Sequence, residues 1–261
     1  MIPYKDDNPT ERPAIVTILL IVINTAAFIY FRIQPGMNYE RAIFEFGMIP
    51  YEFWHQVNLP FSAYLDHLRQ MGAQIGPGAN SPSFHPISPY LTLLTSMFMH
   101  GGVMHLAGNM LFLWIFGNNV EDYLGHIKYL LVYLFWGLAA AGAHLITNPA
   151  STIPTVGASG AISGVLGAYL VLFPFARIYV LVPLFFFFFT TTLPAWAMLI
   201  FWFVFQIVST IPAGAAEAGG VAYAAHIGGF LSGVVLMLFF KKKPHRRGAA
   251  FRARSYRGFS R

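Results

Sequence analysis

Gly157-Ala158-Ser159-Gly160-Ala161-Ile162-Ser163-Gly164 opens an apolar segment that runs to about Phe173. Gly160, Gly164 and Ala168 sit four apart, as do Ser159, Ser163 and Gly167. Ladders of small residues at this spacing let membrane helices approach closely, with no chemistry required. The same stretch leaves one hydroxyl, that of Ser159, uncovered at the mouth of a helix. Packing and nucleophile are therefore both open at this point, and the rest of the chain must decide between them.

The composition sets the solvent. Of the 261 residues, 56% are hydrophobic and only 10% charged, against about a quarter charged in soluble domains. Several stretches approach or exceed the roughly 18 to 20 apolar residues that span a bilayer. The chain reads as an all-α membrane protein. There is no cysteine, which excludes disulfides, thiolate metal sites and a cysteine nucleophile.

The net charge of +6 is concentrated at one end. Lys241, Lys242, Lys243, Arg246, Arg247, Arg252, Arg254, Arg257 and Arg261 carry nine positive charges with no acid among them. The remainder holds seven basic and ten acidic residues, a balance of −3. A basic tail that follows a membrane span is read as a cytoplasmic anchor at anionic lipid, and not as a nucleic-acid site.

The spans follow from apolar runs and their breaks. Residues 1–12 form a polar cytoplasmic segment without the features of a removable signal peptide. A membrane domain covers residues 13–240, and a basic cytoplasmic tail covers 241–261. The first span runs from about Pro13 to Phe31. A long external connection, residues 32–90, is broken by seven prolines and carries an aromatic cluster around Phe44, Phe46, Tyr51, Phe53 and Trp54. The second span is placed at Leu91 to Phe116 and the third at Ile127 to Ile146, with Gly117 to Asp122 as the turn between them. The fourth is Ala158 to Phe173. Residues 178–211 form a long run that is mostly apolar and without charge, and as one helix they would reach roughly 50 Å, too long for a core of about 30 Å. Pro183 and Pro194 divide the run, so the fifth span is placed at Pro194 to Ile211, with Phe185 to Phe189 an interfacial or re-entrant lead-in. A Gly/Ala-rich loop, Pro212 to Gly220, precedes the sixth span at Val221 to Phe240. Six spans put both ends on one side, and the basic tail assigns that side to the cytoplasm.

Polar groups converge on one layer of this bundle. The second, fourth and sixth spans enter from the outer face. Their opening turns carry His100, His105 and Asn109, then Ser159, then His226. Ionisable residues inside a membrane are costly and point to function. Gly229 and Gly233 follow His226 at helical spacing and offer a groove for Gly160 and Gly164. Close packing of the fourth and sixth spans would bring the imidazole to Ser159. A serine hydroxyl needs a base within about 2.6–3.2 Å, and histidine titrates near neutrality. No aspartate is available in these spans, so the reading is a Ser159–His226 dyad whose ring is held by packing or another hydrogen bond. His100 and His105, five apart, would lie about 140° apart on one helix, which argues against a metal pair. His105 and Asn109, four apart, share a face. Two donors near a serine describe an oxyanion hole, with the Ser159 N–H as a third donor.

The assembled motifs resemble those of the rhomboid family of intramembrane serine proteases. They are His100-Gly-Gly-Val-Met-His105-Leu-Ala-Gly-Asn109, then Gly157-Ala158-Ser159-Gly160, then Ala225-His226 followed by Gly229 and Gly233. Glu121 falls where the family often carries a glutamate after the second span. The resemblance covers residues 13 to 240 and implies a six-transmembrane-helix rhomboid-like bundle. It implies a serine endopeptidase acting on transmembrane protein substrates within the bilayer, with no cofactor and no metal. It assigns Ser159 as nucleophile, His226 as general base and His105 with Asn109 to the oxyanion, and makes His100 structural. The implied location is a bacterial inner membrane with both termini cytoplasmic. Leu91 and Thr92 stand where many members have a Trp-Arg pair, and Ser163 where some have an aromatic that packs on the catalytic histidine. The rival readings are a non-catalytic membrane-protein binder or chaperone on the same scaffold, and a proton- or cation-linked transporter. The transporter lacks an interior acid in any span.

Overall fold

The computed structural model describes residues 1–33, 39–70, 72, 87–184, 187–210 and 222–241. The chain is mostly helical. Six helices make the bundle: α1 (Ile15–Ile33), α6 (Val103–Leu124), α7 (His126–Thr147), α8 (Ser159–Leu172), α9 (Ala195–Thr210) and α10 (Tyr223–Phe240). Among the described residues, α1, α7 and α10 are long and apolar enough to cross a membrane. Between α1 and α6 lie α2 (Tyr39–Phe46), α3 (Pro50–His55), α4 (Phe61–Gln70) and the single turn α5 (Thr92–Thr95).

Helix α8 is the axis. Eleven of its fourteen residues are buried, and α6, α7, α9 and α10 all pack against it. Its small residues make this possible. A methyl group placed on Gly164 would lie 2.4 Å from Trp136, one on Gly160 2.6 Å from the Ala140 Cβ, and one on Gly167 2.2 Å from the Phe230 carbonyl oxygen. The bare sides of Gly160 and Gly164 therefore face α7, not the α10 groove expected of them. Against α10 these residues present their carbonyls: a methyl on Gly229 would meet the Gly160 oxygen at 2.1 Å, and one on Gly233 the Gly164 oxygen at 2.0 Å. Spacing identifies a small-residue ladder but leaves open the rotation of the helix that carries it.

Two boundaries differ from expectation. The second long helix begins at Val103, not Leu91, because residues 91–98 turn tightly through α5 and a 3-10 turn before an extended passage to Gly102. That helix also runs straight through Gly117–Asp122, the expected turn, and stops at Gly125, whose φ of 79° favours glycine. His100 therefore precedes the helix. Its ring comes within 5.2 Å of the His105 ring, centroid to centroid, so the angular separation expected for two residues on one helix does not apply.

The larger departure from an all-α fold is a three-stranded antiparallel sheet in the order β1-β2-β3, built from Ile2–Asp6, Arg177–Leu184 and Phe187–Pro194. Residues 2–6, read from sequence as part of a polar segment, are thus a strand, and the described part of the expected re-entrant lead-in, Phe187–Phe189, belongs to β3. Ile178, Val180 and Val182 alternate toward the helices, and Ile178 and Val180 are fully buried in the main core. Such alternation of β-branched residues is a strand signal. The Tyr169 hydroxyl donates to Asp6 at 2.6 Å and the Asn119 amide at 2.9 Å, which ties the first strand to the bundle. Burial pushes the Asp6 carboxyl above the usual carboxylate range.

The long connection folds on its own aromatic cluster of Phe44, Ile49, Phe61, Tyr64 and Leu65. It is fastened without the Trp-Arg pair. Met48 and Thr155 exchange backbone hydrogen bonds of 3.0 and 2.8 Å, Thr95 donates to the Phe46 carbonyl at 2.8 Å, and Trp54 to that of Leu145 at 3.0 Å. The expected loop at Pro212–Gly220 and the tail beyond Lys241 lie outside the described residues.

Candidate active site

Ser159 is the first residue of α8. The turn before it depends on Gly157, whose φ of 131° few side chains tolerate. The Gly157 N–H donates to the Ser96 carbonyl at 2.9 Å, which fixes the turn against the segment that leads to His100. His226 lies on the first turn of α10. The Ser159 hydroxyl and His226 Nε2 are 2.8 Å apart, although 67 residues separate them in sequence.

The other ring nitrogen has a partner that sequence reasoning did not name. His226 Nδ1 lies 2.8 Å from Gln206 Oε1, an amide oxygen on α9. That oxygen only accepts, so Nδ1 carries the proton and Nε2 is left as a lone-pair acceptor for the serine O–H. Gln206 is buried. Trp202 lies beside the imidazole at 6.1 Å and Tyr223 meets it edge-on at 6.5 Å. The signal was present in sequence: Gln206 is the lone amide in the otherwise apolar run Ala195–Val208.

His105 reaches the same space from α6. A methyl group on Gly157 would lie 2.9 Å from His105 Cε1 and Nε2 and 3.5 Å from the Ser159 hydroxyl. The bare face of Gly157 thus opens a small volume bounded by both side chains. The Gly101 N–H donates to His105 Nδ1 at 3.3 Å, which puts the ring proton on Nε2, toward that volume. Asn109 is buried one turn further along α6, and its amide nitrogen has no hydrogen-bond partner among the described residues. Buried donors without partners are rare and call for an explanation. The first N–H groups of α8, beginning with that of Ser159, lack intrahelical partners, as at any helix start.

His100 is fully buried, and its carbonyl accepts the Tyr39 hydroxyl. It links α2 to the segment before α6. Glu121 sits at the far end of α6, away from Ser159. Its carboxylate accepts the Val16 and Thr17 N–H groups at 2.8 Å each and the Thr17 hydroxyl at 2.7 Å, with His126 at 2.6 Å. It caps the start of α1, where a negative charge also meets the positive end of the helix dipole. Glu121→Ala is expected to lower unfolding stability by roughly 2 kcal/mol, because buried N–H groups lose their acceptor. Thermal unfolding in detergent checks this, with Glu121→Gln expected to fall between the two.

The family model described as the Rhomboid domain matches residues 88–243. The chain belongs to the rhomboid family. Among its relatives, the mitochondrial Rhomboid protein 1 of Saccharomyces cerevisiae is 31% identical over 160 residues, which cover 60% of this chain and 43% of the yeast protein. Rhomboid protease GluP of Bacillus subtilis is 41% identical over 93 residues, 36% of this chain and 18% of that protein. The putative rhomboid protease YdcA of the same organism is 37% identical over 78 residues, 30% of this chain and 39% of that protein. The matches thus span less than half the length of each of these relatives. Family membership and the apolar helices make this an integral membrane protein. The expected bacterial inner membrane gains no support, since the relatives include mitochondrial and chloroplastic proteins.

Proposed function

We propose that this rhomboid is a serine endopeptidase that cleaves membrane-anchored proteins near the outer membrane face. The observation that carries the reading is the 2.8 Å contact of the Ser159 hydroxyl with His226 Nε2. It is a nucleophile–base pair whose base is oriented by a third group. Ser159 attacks the scissile carbonyl and passes its proton to His226 Nε2. His105 Nε2–H, the Asn109 amide and the Ser159 N–H receive the oxyanion. The tetrahedral species collapses, His226 gives the proton to the departing amine, and water resolves the acyl-enzyme through the same base. Gln206 keeps the ring in the tautomer this requires. Being neutral, it stabilises the imidazolium less than a carboxylate would.

Six membrane crossings, α1 and α6 through α10, fit this reading. Helices α6, α8 and α10 then enter from the outer side and bring His105, Ser159 and His226 to one depth. Lys5, Arg12, Lys128, Arg177 and Lys241 fall on the opposite side with the basic tail, as expected of the cytoplasmic face. Substrates approach from the bilayer near α9 and must unwind, because a helical carbonyl is hydrogen-bonded and shielded.

The test is labelling with a fluorophosphonate and mapping of the modified residue. Modification at Ser159, lost in His226→Ala, supports the protease. An unlabelled Ser159 in protein that still binds membrane clients would replace it with the chaperone reading.

Two further outcomes separate the roles. Gln206→Leu removes a buried hydrogen bond, a cost of about 1–3 kcal/mol, and is expected to lower kcat roughly tenfold to a hundredfold with KM little changed. Asn109→Ala removes one oxyanion donor and is expected to lower kcat by about 10²–10³, while a phosphonate still modifies Ser159 at a reduced rate. Steady-state kinetics on a reconstituted substrate checks both.

A further inference from the structure

The β2–β3 hairpin leaves the bundle at the end of α8 opposite Ser159, and its two faces differ. In the antiparallel register Ile178 pairs with Leu193, Val180 with Thr191 and Val182 with Phe189. Directly paired residues share a face, so one face carries Ile178, Val180, Val182, Phe187, Phe189, Thr191 and Leu193. At the base this face packs under the helices, where Ile178 and Val180 are fully buried. Toward the far end of the strands it leaves the core, and Phe189 and Phe187 become 47% and 77% exposed. The other face is mixed: it carries Tyr179, Leu181, Pro183, Thr190 and Thr192, with Leu181 half-buried, both threonines exposed and Lys5 of β1 over the Tyr179 ring at 5.9 Å. Phe188 joins it only near the tip, at 68% exposure.

We propose that the Phe187/Phe189 face of this hairpin is seated in the lipid leaflet on the side of the membrane opposite Ser159. The face that is buried against the core at Ile178 and Val180 must, where it leaves that core, meet whatever surrounds the helices. For an integral membrane protein that is lipid. The apolar surface also continues past Thr191: β3 passes directly into α9, whose Ile200, Phe201, Val204 and Phe205 are exposed along the helix. A protein partner docked on one face would leave Phe188 in water, whereas a leaflet can wrap a tip that is apolar on both faces. The face bearing Thr190, Thr192 and Lys5 then looks toward water, with Tyr4 and Tyr179 at the level where amphipathic rings collect.

The absence of cysteine makes the test direct. Phe187→Cys, Phe189→Cys, Thr190→Cys and Thr192→Cys, each carrying a spin label, are reconstituted into liposomes. Collision with oxygen, which partitions into lipid, is compared with collision with a water-soluble nickel chelate. The expected result is oxygen-dominated collision at 187 and 189 and nickel-dominated collision at 190 and 192. Nickel-dominated collision at all four positions would overturn the proposal, as would protection of 187 and 189 from both agents, which would mean a protein partner or a second copy. The readout does not involve Ser159, so it stands or falls apart from the protease reading.

Discussion

Ser159→Ala is expected to slow cleavage of a reconstituted membrane-anchored substrate by roughly four orders of magnitude or more. Serine hydrolases that lose their nucleophile keep only the residual catalysis of oxyanion binding and substrate positioning. No cysteine is available to replace it. His226→Ala is expected to cost about as much, because the hydroxyl then has no base to take its proton as it attacks. The double variant should be no worse than either single one, since residues that act as a unit are not additive. Folding should survive Ser159→Ala. The hydroxyl binds His226 and nothing else among the described residues, whereas the Ser159 carbonyl, which accepts the Ser163 hydroxyl at 2.6 Å, is untouched. Gel-resolved cleavage in proteoliposomes, with thermal unfolding as the control, separates lost chemistry from lost structure. Ser159→Ala that cleaves at the wild-type rate would remove the nucleophile from this account.

The ends of α7 to α10 lie within about two residues of where sequence put them, because Asn148, Phe173-Pro174, Pro194 and Lys241 punctuate the runs there. The start of α6 was not legible. Residues 91–99 are mostly apolar and run on into the helix in sequence, but they turn tightly before it, and hydropathy does not distinguish a buried turn from a helix. The sheet was hidden by a related confusion. Counting apolar residues over 178–211 asks how many helices fit, and the alternation of Ile178, Val180 and Val182 goes unread. Residues 2–6 carry no strong strand pattern of their own; β2 supplies the partner that makes them a strand. Ser159, His226, His105 and Asn109 could be singled out as candidates from sequence because each is a polar side chain in an apolar surround. Gln206 has the same property. The usual third member of such a site is a carboxylate, but an amide oxygen is sufficient to fix the imidazole tautomer.

Gly229→Ala is expected to lower proteolysis by about a hundredfold and stability by roughly 1–3 kcal/mol, and the reason is geometric. The added carbon would stand 2.1 Å from the Gly160 carbonyl oxygen and 3.2 Å from the Ser163 Cβ. Backbone cannot yield as a flexible side chain does, so α8 and α10 must separate by about 1 Å to restore ordinary contact. Gly229 lies three residues from His226 on the same helix face, and Gly160 is next to Ser159. The separation therefore falls directly on a hydrogen bond of 2.8 Å. A misplacement of about 1 Å in a reacting pair is enough for a loss of this size. Gly233→Ala supplies the comparison. Its added carbon would stand 2.0 Å from the Gly164 carbonyl oxygen, an equal clash one turn further from the reacting groups. It should destabilise the fold as much as Gly229→Ala, yet reduce cleavage less at a temperature where both variants are folded. Equal loss of activity in the two would mean that activity follows general packing, and that the close approach of α8 and α10 does not specifically set the distance between hydroxyl and imidazole.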